Sequence, residues 1–197
     1  MFTAILWDFG GVFTTSPFEN FTRFEADRGI PRDFIRTVNS TNPDTNAWAQ
    51  LEASEIGRDQ FDSLFARESH ALGHEIRGAE VLELLSGELR PAMVHALDLT
   101  RARYKTACLT NNIRDAGEGP GMVKDQARAD EIAKVFDRFD AVIESSVAGI
   151  RKPKPEFYKL ACTTLGVEAS DAVFLDDLGI NLKPARALGM QTIKVLN

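Results

Sequence analysis

The chain is short of several things, and each shortage removes a class of protein. Among 197 residues there are only two cysteines, Cys108 and Cys162, too few for a disulfide scaffold and consistent with a reducing compartment. No window approaches the roughly 18 uninterrupted apolar residues of a membrane helix. The apolar N-terminus lacks a basic leader and is interrupted by Asp8, so a signal peptide is not expected, and a soluble, cytoplasmic protein without a membrane partner is. Basic residues are in deficit: 23 Lys and Arg stand against 29 Asp and Glu, a net charge of −6, which argues against a phosphate-tracking nucleic-acid surface. Internal repeats and low-complexity stretches are also missing. What remains is a globular balance, with 44% apolar residues, enough to build a core.

Five short apolar runs stand out, at residues 3–7, 106–109, 141–143, 172–175 and 192–196. Each is followed by polar or glycine residues, and helix-like stretches separate the last four. Pro155–Leu165 carries Phe157, Leu160, Ala161 and Thr164 on one face with Gly166 as its stop, and residues 181–188 read the same way before Gly189. Short buried strands alternating with helices predict an α/β fold with a doubly wound, Rossmann-like parallel sheet. The stretch from Asp8 to Lys105 is far too long for one crossover. Within it, Phe18/Phe21/Phe24, Phe34/Ile35/Val38, Trp48/Leu51 and Phe61/Leu64/Phe65 recur at helical spacing. We therefore expect a helical insertion over residues 15–87, with residues 1–14 and 88–197 forming the α/β core. Pro31 and Pro43 are expected breaks, Asp44 or Thr45 an expected helix cap, and residues 114–124 an expected mobile loop.

Ligands of open parallel sheets gather beyond the carboxyl ends of the strands. Those ends carry Asp8, Gly10 and Gly11; Thr110, Asn111 and Asn112; Lys152; and Asp176 with Asp177. Three carboxylates would repel one another without a cation between them, and hard oxygen donors suit Mg²⁺ better than zinc. A magnesium ion, a lysine and hydroxyl and amide donors together suit a phosphoryl group, with Asp8 as a nucleophile. Arg151 and Lys154 flank Lys152, and the proline pattern favours Lys152. His70 and His74, spaced i,i+4, have Gly73 between them and no obvious third ligand, so they read as solvated residues, and His95 as a surface residue of a helix. Phe13, Phe18 and Phe21 are candidates for an apolar substrate mouth.

Ile5-Leu6-Trp7-Asp8, Leu109-Thr110-Asn111-Asn112, Lys152-Pro153-Lys154-Pro155 and Phe174-Leu175-Asp176-Asp177 with Asn181 resemble, in order and spacing, the four motifs of the haloacid dehalogenase superfamily. From Asp140 onward the chain is similar to the N-terminal phosphatase domain of soluble epoxide hydrolases. The resemblance implies a C1 helical cap inserted after strand one and a hydrolase of small phosphorylated molecules, in an oligomeric state it does not specify. It implies Asp8 as nucleophile and Mg²⁺ ligand, the Gly10 carbonyl, Asp176 and Asp177 as further ligands, Thr110 and the Asn111 amide as phosphate donors, and Lys152 as charge neutraliser. The family's phosphatases usually have a second aspartate where this chain has Gly10. Its general acid–base help is worth about 10²–10⁴-fold, so slow turnover is expected. The alternatives are a regulatory phosphate-binding protein that has lost turnover, or a carbon–halogen hydrolase. The paired Asp176 and Asp177 argue against the latter, which needs no metal.

Overall fold

A computed structural model describes residues 1–112 and 126–196. The expected loop over residues 114–124 lies outside the described residues. The chain divides into two compact units, residues 1–16 with 87–197, and residues 17–86.

The first unit is built on five strands, β1 (Ala4–Trp7), β2 (Lys105–Thr110), β3 (Ala141–Glu144), β4 (Ala172–Asp176) and β5 (Gln191–Lys194). They form one fully parallel sheet in the order β3-β2-β1-β4-β5. Each expected run forms a strand, with ends shifted by one or two residues. Side-chain alternation divides the strands between two cores. Leu6, Leu109 and Phe174 pack with Phe157, Tyr158, Ala161, Leu182 and Ala185 from the helices Pro155–Leu165 and Gly179–Ala187. Trp7 and Cys108 face the opposite way, toward Leu97 of the helix Pro91–Arg101 and Ile132 and Val135 of the helix Gln126–Phe136. Helices cover both faces, so the sheet is doubly wound. The chain runs outward from β1 through β2 to β3, then returns to place β4 on the other side of β1. Strand order therefore reverses beside β1, and the crevice there opens at the carboxyl ends of β1 and β4.

The chain leaves and re-enters this unit on two paired legs. Thr15 N donates to Glu88 O at 2.8 Å, Arg90 N donates to Phe13 O at 2.7 Å, and Thr14 and Leu89 form an antiparallel bridge. Gly87 lies so close to the outgoing leg that a Cβ there would sit 2.5 Å from Thr15 O.

The second unit is wholly helical: Phe18–Asp27, Phe34–Ser40, Ala47–Glu52, Arg58–Ala71 and Gly78–Glu83. Phe21, Ile35, Val38, Leu51, Phe61, Phe65, Ile76 and Val81 are buried, and the Trp48 and Phe65 rings lie 5.7 and 5.4 Å from that of Phe61. The buried Glu25 carboxylate accepts from Asp33 N at 2.8 Å and Ile35 N at 2.9 Å, taking two donors at the start of the helix Phe34–Ser40. The cap of Ala47–Glu52 is Asn46, not Asp44 or Thr45 as the sequence suggested. Asn46 accepts from Ala49 N at 2.8 Å and donates to the carbonyls of Asn39 and Thr41, tying the preceding turn to the helix. Among the described residues no helix is long and apolar enough to cross a membrane.

Candidate active site

The carboxyl end of β1 carries Asp8, which is 7% exposed and whose N–H donates to Leu175 O of β4 at 2.8 Å. The chain then turns sharply, with the amides of Val12, Phe13 and Thr14 all directed at Phe9 O. Gly11 makes the turn possible. Its φ is +75°, and a Cβ there would meet Asp177 Oδ2 at 2.3 Å. Gly10 differs from it: it is exposed, and nothing lies within 4 Å of where its Cβ would stand. The fold requires glycine at position 11 and leaves position 10 open.

Opposite Asp8, at the end of β4, Asp176 is completely buried. Lys152, 1% exposed, places Nζ 2.6 Å from Asp8 Oδ1 and 3.0 Å from Asp176 Oδ2. Asp176 is held from behind. Leu178 N donates to its Oδ1 at 2.7 Å, and Asn181 Nδ2 reaches both carboxylate oxygens at 3.2 and 3.0 Å. Tyr158 OH in turn donates to Asn181 O at 2.8 Å. Asp177 follows at the half-buried rim, and oxygens of Asp8, Asp176 and Asp177 all lie within 4.8 Å of one another.

On the other side of Asp8, β2 ends in the buried Thr110. The Asn111 side chain accepts from Lys152 N at 2.9 Å and donates to Lys152 O at 3.0 Å. Asn112 makes a separate junction with the end of β3, donating to Glu144 Oε2 at 2.9 Å and, from its N–H, to Ser145 Oγ at 3.0 Å.

The electrostatics follow from this packing. Burial, reinforced by the charge on Asp176, holds the Asp8 carboxyl well above the usual carboxylate range, and the Lys152 ammonium only partly offsets that. Burial and the same Asp176 charge push Asp177 up to about 6. For Lys152, burial alone would lower the pKa, but Asp176 and Asp8 overcome it and hold the ammonium above its ordinary value. Three carboxylates thus share one ammonium, and two of them resist ionisation. A divalent cation would remove that resistance. Oxygen-only donors, with no histidine or cysteine in the group, match a hard ion such as Mg²⁺.

The structure brings Asp8, Lys152, Asp176 and Asp177 into one cluster, with Asn111 joined to Lys152. Arg151 is partly buried and Lys154 is exposed at the start of the next helix, outside the cluster. Phe13 is corrected: it is fully buried among Trp7, Phe9 and Phe139 and lines no substrate mouth. Phe21 is likewise 3% exposed, and the Phe18 ring packs under Arg36, 4.4 Å from its guanidinium. His70 and His74 do not share a helical face. The helix stops at Ala71, His74 packs edge-on to Phe34, and His70 Nδ1 lies 3.7 Å from Glu75. His95 is exposed on its helix. Site-supporting residues that sequence reasoning undervalued are Gly11, Tyr158 and Asn181. The sequence put Leu160 and Thr164 with Phe157 and Ala161 on the apolar face of Pro155–Leu165, but both are exposed. The buried face runs instead through Phe157, Tyr158, Ala161, Cys162 and Leu165, which carries the Tyr158 hydroxyl inward.

A doubly wound parallel sheet whose switch point holds a carboxylate cluster around a buried lysine defines a Rossmann-like α/β enzyme class. The family model for haloacid dehalogenase-like hydrolases matches residues 2–189, and the chain belongs to that family. It is 31% identical over 200 residues to acyl-CoA dehydrogenase family member 10 of Mus musculus, covering 98% of this chain and 18% of that protein. It is 31% identical over 188 residues to bifunctional epoxide hydrolase 2 of Mus musculus, covering 90% of this chain and 33% of that protein. The chain therefore spans a third or less of these two relatives. The sesquiterpene phosphatase astK of Aspergillus oryzae is 28% identical over 192 residues, covering 96% of this chain and 87% of that one. A haloacid dehalogenase-family enzyme of Bacteroides thetaiotaomicron, solved with magnesium and inorganic phosphate, shares the fold with a TM-score of 0.62 at 18% identity, covering 98% and 94% of the two chains.

Proposed function

We propose that the protein is a Mg²⁺-dependent phosphomonoester hydrolase acting through an aspartyl-phosphate on Asp8. The observation that carries this reading is the cluster of Asp8, Asp176 and Asp177 oxygens within 4.8 Å, with Lys152 Nζ between Asp8 and Asp176. The phosphatases named among its relatives and the fold neighbour solved with magnesium and phosphate support it. The carboxylates of Asp8, Asp176 and Asp177 and the Gly10 carbonyl would hold Mg²⁺, which supplies positive charge to a phosphoryl dianion. An Asp8 oxygen attacks phosphorus, the P–O bond to the alcohol breaks, and the alcohol oxygen leaves with its electron pair and takes its proton from solvent, since Gly10 has no acid to offer. Thr110 and the Asn111 N–H donate to phosphoryl oxygens, and Lys152 balances charge on Asp8 as it becomes an acyl phosphate. Water then attacks phosphorus and gives up a proton to solvent, and the bond from phosphorus to Asp8 breaks, regenerating the carboxylate and releasing phosphate. We read the inserted helical unit as the counterpart of the family's C1 cap, and the substrate as a small phosphorylated molecule in a reducing cytoplasm, a setting with which the two free, buried cysteines agree.

The test is phosphate release across sugar, lipid and nucleotide phosphates. Release requires Mg²⁺ and is abolished by Asp8→Asn; wild-type rates in that variant would refute the nucleophile. Gly10→Asp fits the open position and accelerates alkyl phosphates more than aryl phosphates, because only the former need leaving-group protonation. Magnesium-dependent phosphate binding without any turnover would instead indicate a regulatory phosphate-binding protein.

A further inference from the structure

The geometry points to Asn111 as the positioning residue of Lys152: its side-chain amide clamps the lysine's own peptide and so sets where the ammonium stands. The clamp itself is a matter of structure, and its catalytic consequence rests on the phosphatase reading above.

Lys152 lies in the turn between the helices Ser145–Ala148 and Pro155–Leu165, outside any strand. Its N–H and C=O therefore have no ladder to join, and backbone polar groups in the interior need partners. The Asn111 amide supplies both, accepting from Lys152 N at 2.9 Å and donating to Lys152 O at 3.0 Å. An amide used this way does the work of one residue of a neighbouring strand, anchoring a turn to the end of β2 across 41 positions of sequence. A lysine side chain has four flexible carbons, so a fixed main chain is a precondition for a fixed ammonium. At the other end, Nζ must stay within 2.6 Å of Asp8 and 3.0 Å of Asp176, with the Phe174 ring 5.7 Å away. Releasing the peptide lets the ammonium drift along that carboxylate pair. Misplacement by about 1 Å is enough to cost about 10²-fold in rate. The sequence motif suggests only a phosphate-facing main-chain N–H for Asn111; the structure adds a separate task for its side chain.

Two measurements on Asn111→Ala, with its melting temperature as a control, test the assignment. The first is steady-state hydrolysis of p-nitrophenyl phosphate with Mg²⁺. The expected result is a fall in kcat of about 10–100-fold, with KM changed by less than about threefold. A rise in KM at unchanged kcat would mean that the side chain binds substrate, and would overturn the proposal. The second needs no activity: acetylation by an N-hydroxysuccinimide ester, read lysine by lysine by peptide mass spectrometry. Lys152 should be labelled roughly tenfold faster than in the wild type while the other lysines are unchanged. Unchanged labelling at Lys152, or faster labelling of all lysines together, would overturn it. Asn111→Ser, too short to span both peptide groups, replaces the alanine variant if that one melts early. Absence of turnover in the wild type would count against the phosphatase reading alone, because labelling still decides the clamp.

Discussion

Each unit holds a set of buried polar side chains, and the two sets serve opposite ends. In the helical unit, Glu25, Asn46 and Ser69 each turn toward main-chain groups, so that burial closes helix ends and turns. In the α/β unit, Asp8, Lys152 and Asp176 turn toward one another, and the supporting groups Asn111, Asn181 and Tyr158 stand behind them. A carboxylate that meets two N–H groups is satisfied by its fold. A carboxylate that meets a second carboxylate is not, and it waits for a charge from outside. The contrast separates polar burial that serves architecture from polar burial that serves chemistry.

The sharpest way to break the contrast is to remove one buried carboxylate from each unit. Glu25→Ala leaves the N–H groups of Asp33 and Ile35 without their acceptor, and should cost about 2–4 kcal/mol, read as a lower midpoint in urea unfolding. Asp8→Asn should move stability the other way when a chelator is present. The Asp8 carboxyl has its pKa raised by folding, so its ionised form opposes folding; the penalty grows as pH rises from the unfolded value through the folded one. The neutral amide escapes it. At neutral pH we expect Tm to rise by about 2–4 °C, the change that about 1 kcal/mol makes in a chain of this size. A fall in Tm would mean that the site is built to be stable without its cation. The smallest effect belongs to Asp62 in the helical unit, whose pKa is lowered to about 2, first by its hydrogen bonds from Arg77. A lowered carboxyl pKa contributes stability that is complete above the unfolded value and is lost as pH falls toward 2. Asp62→Asn should therefore narrow the gap between neutral and acid Tm by a degree or so, while leaving metal binding unchanged.

Much of this was legible along the chain because the strands are short apolar runs closed by polar residues, Asp8, Thr110, Glu144 and Asp176 among them, and because the prolines around Lys152 mark it out from Arg151 and Lys154. What could not be read depends on contacts between distant positions. Asn46 outcompetes Asp44 and Thr45 as a cap because the carbonyls of Asn39 and Thr41 are there to receive its amide. Phe13 follows the nucleophile in a turn, where exposure is the natural expectation, yet Phe139 arrives from far along the chain to bury it. The hold of Asn111 on Lys152 spans strand end and turn, and no periodicity announces such a pairing. Gly10 and Gly11 look alike in sequence; the positive φ of Gly11 and the position of Asp177 tell them apart.

The paired legs at Thr14 and Leu89 have a consequence for how such a chain can change. Because Thr15 and Glu88 are hydrogen-bonded at 2.8 Å, the detour between them begins and ends at nearly one point. A longer, shorter or wholly different excursion can start and finish there without moving β1 or the turn that carries Asp8. Loop closure grows only as the logarithm of length, so such exchanges are inexpensive. The joint is a socket: it keeps the inherited chemistry fixed while the inserted piece is free to be replaced.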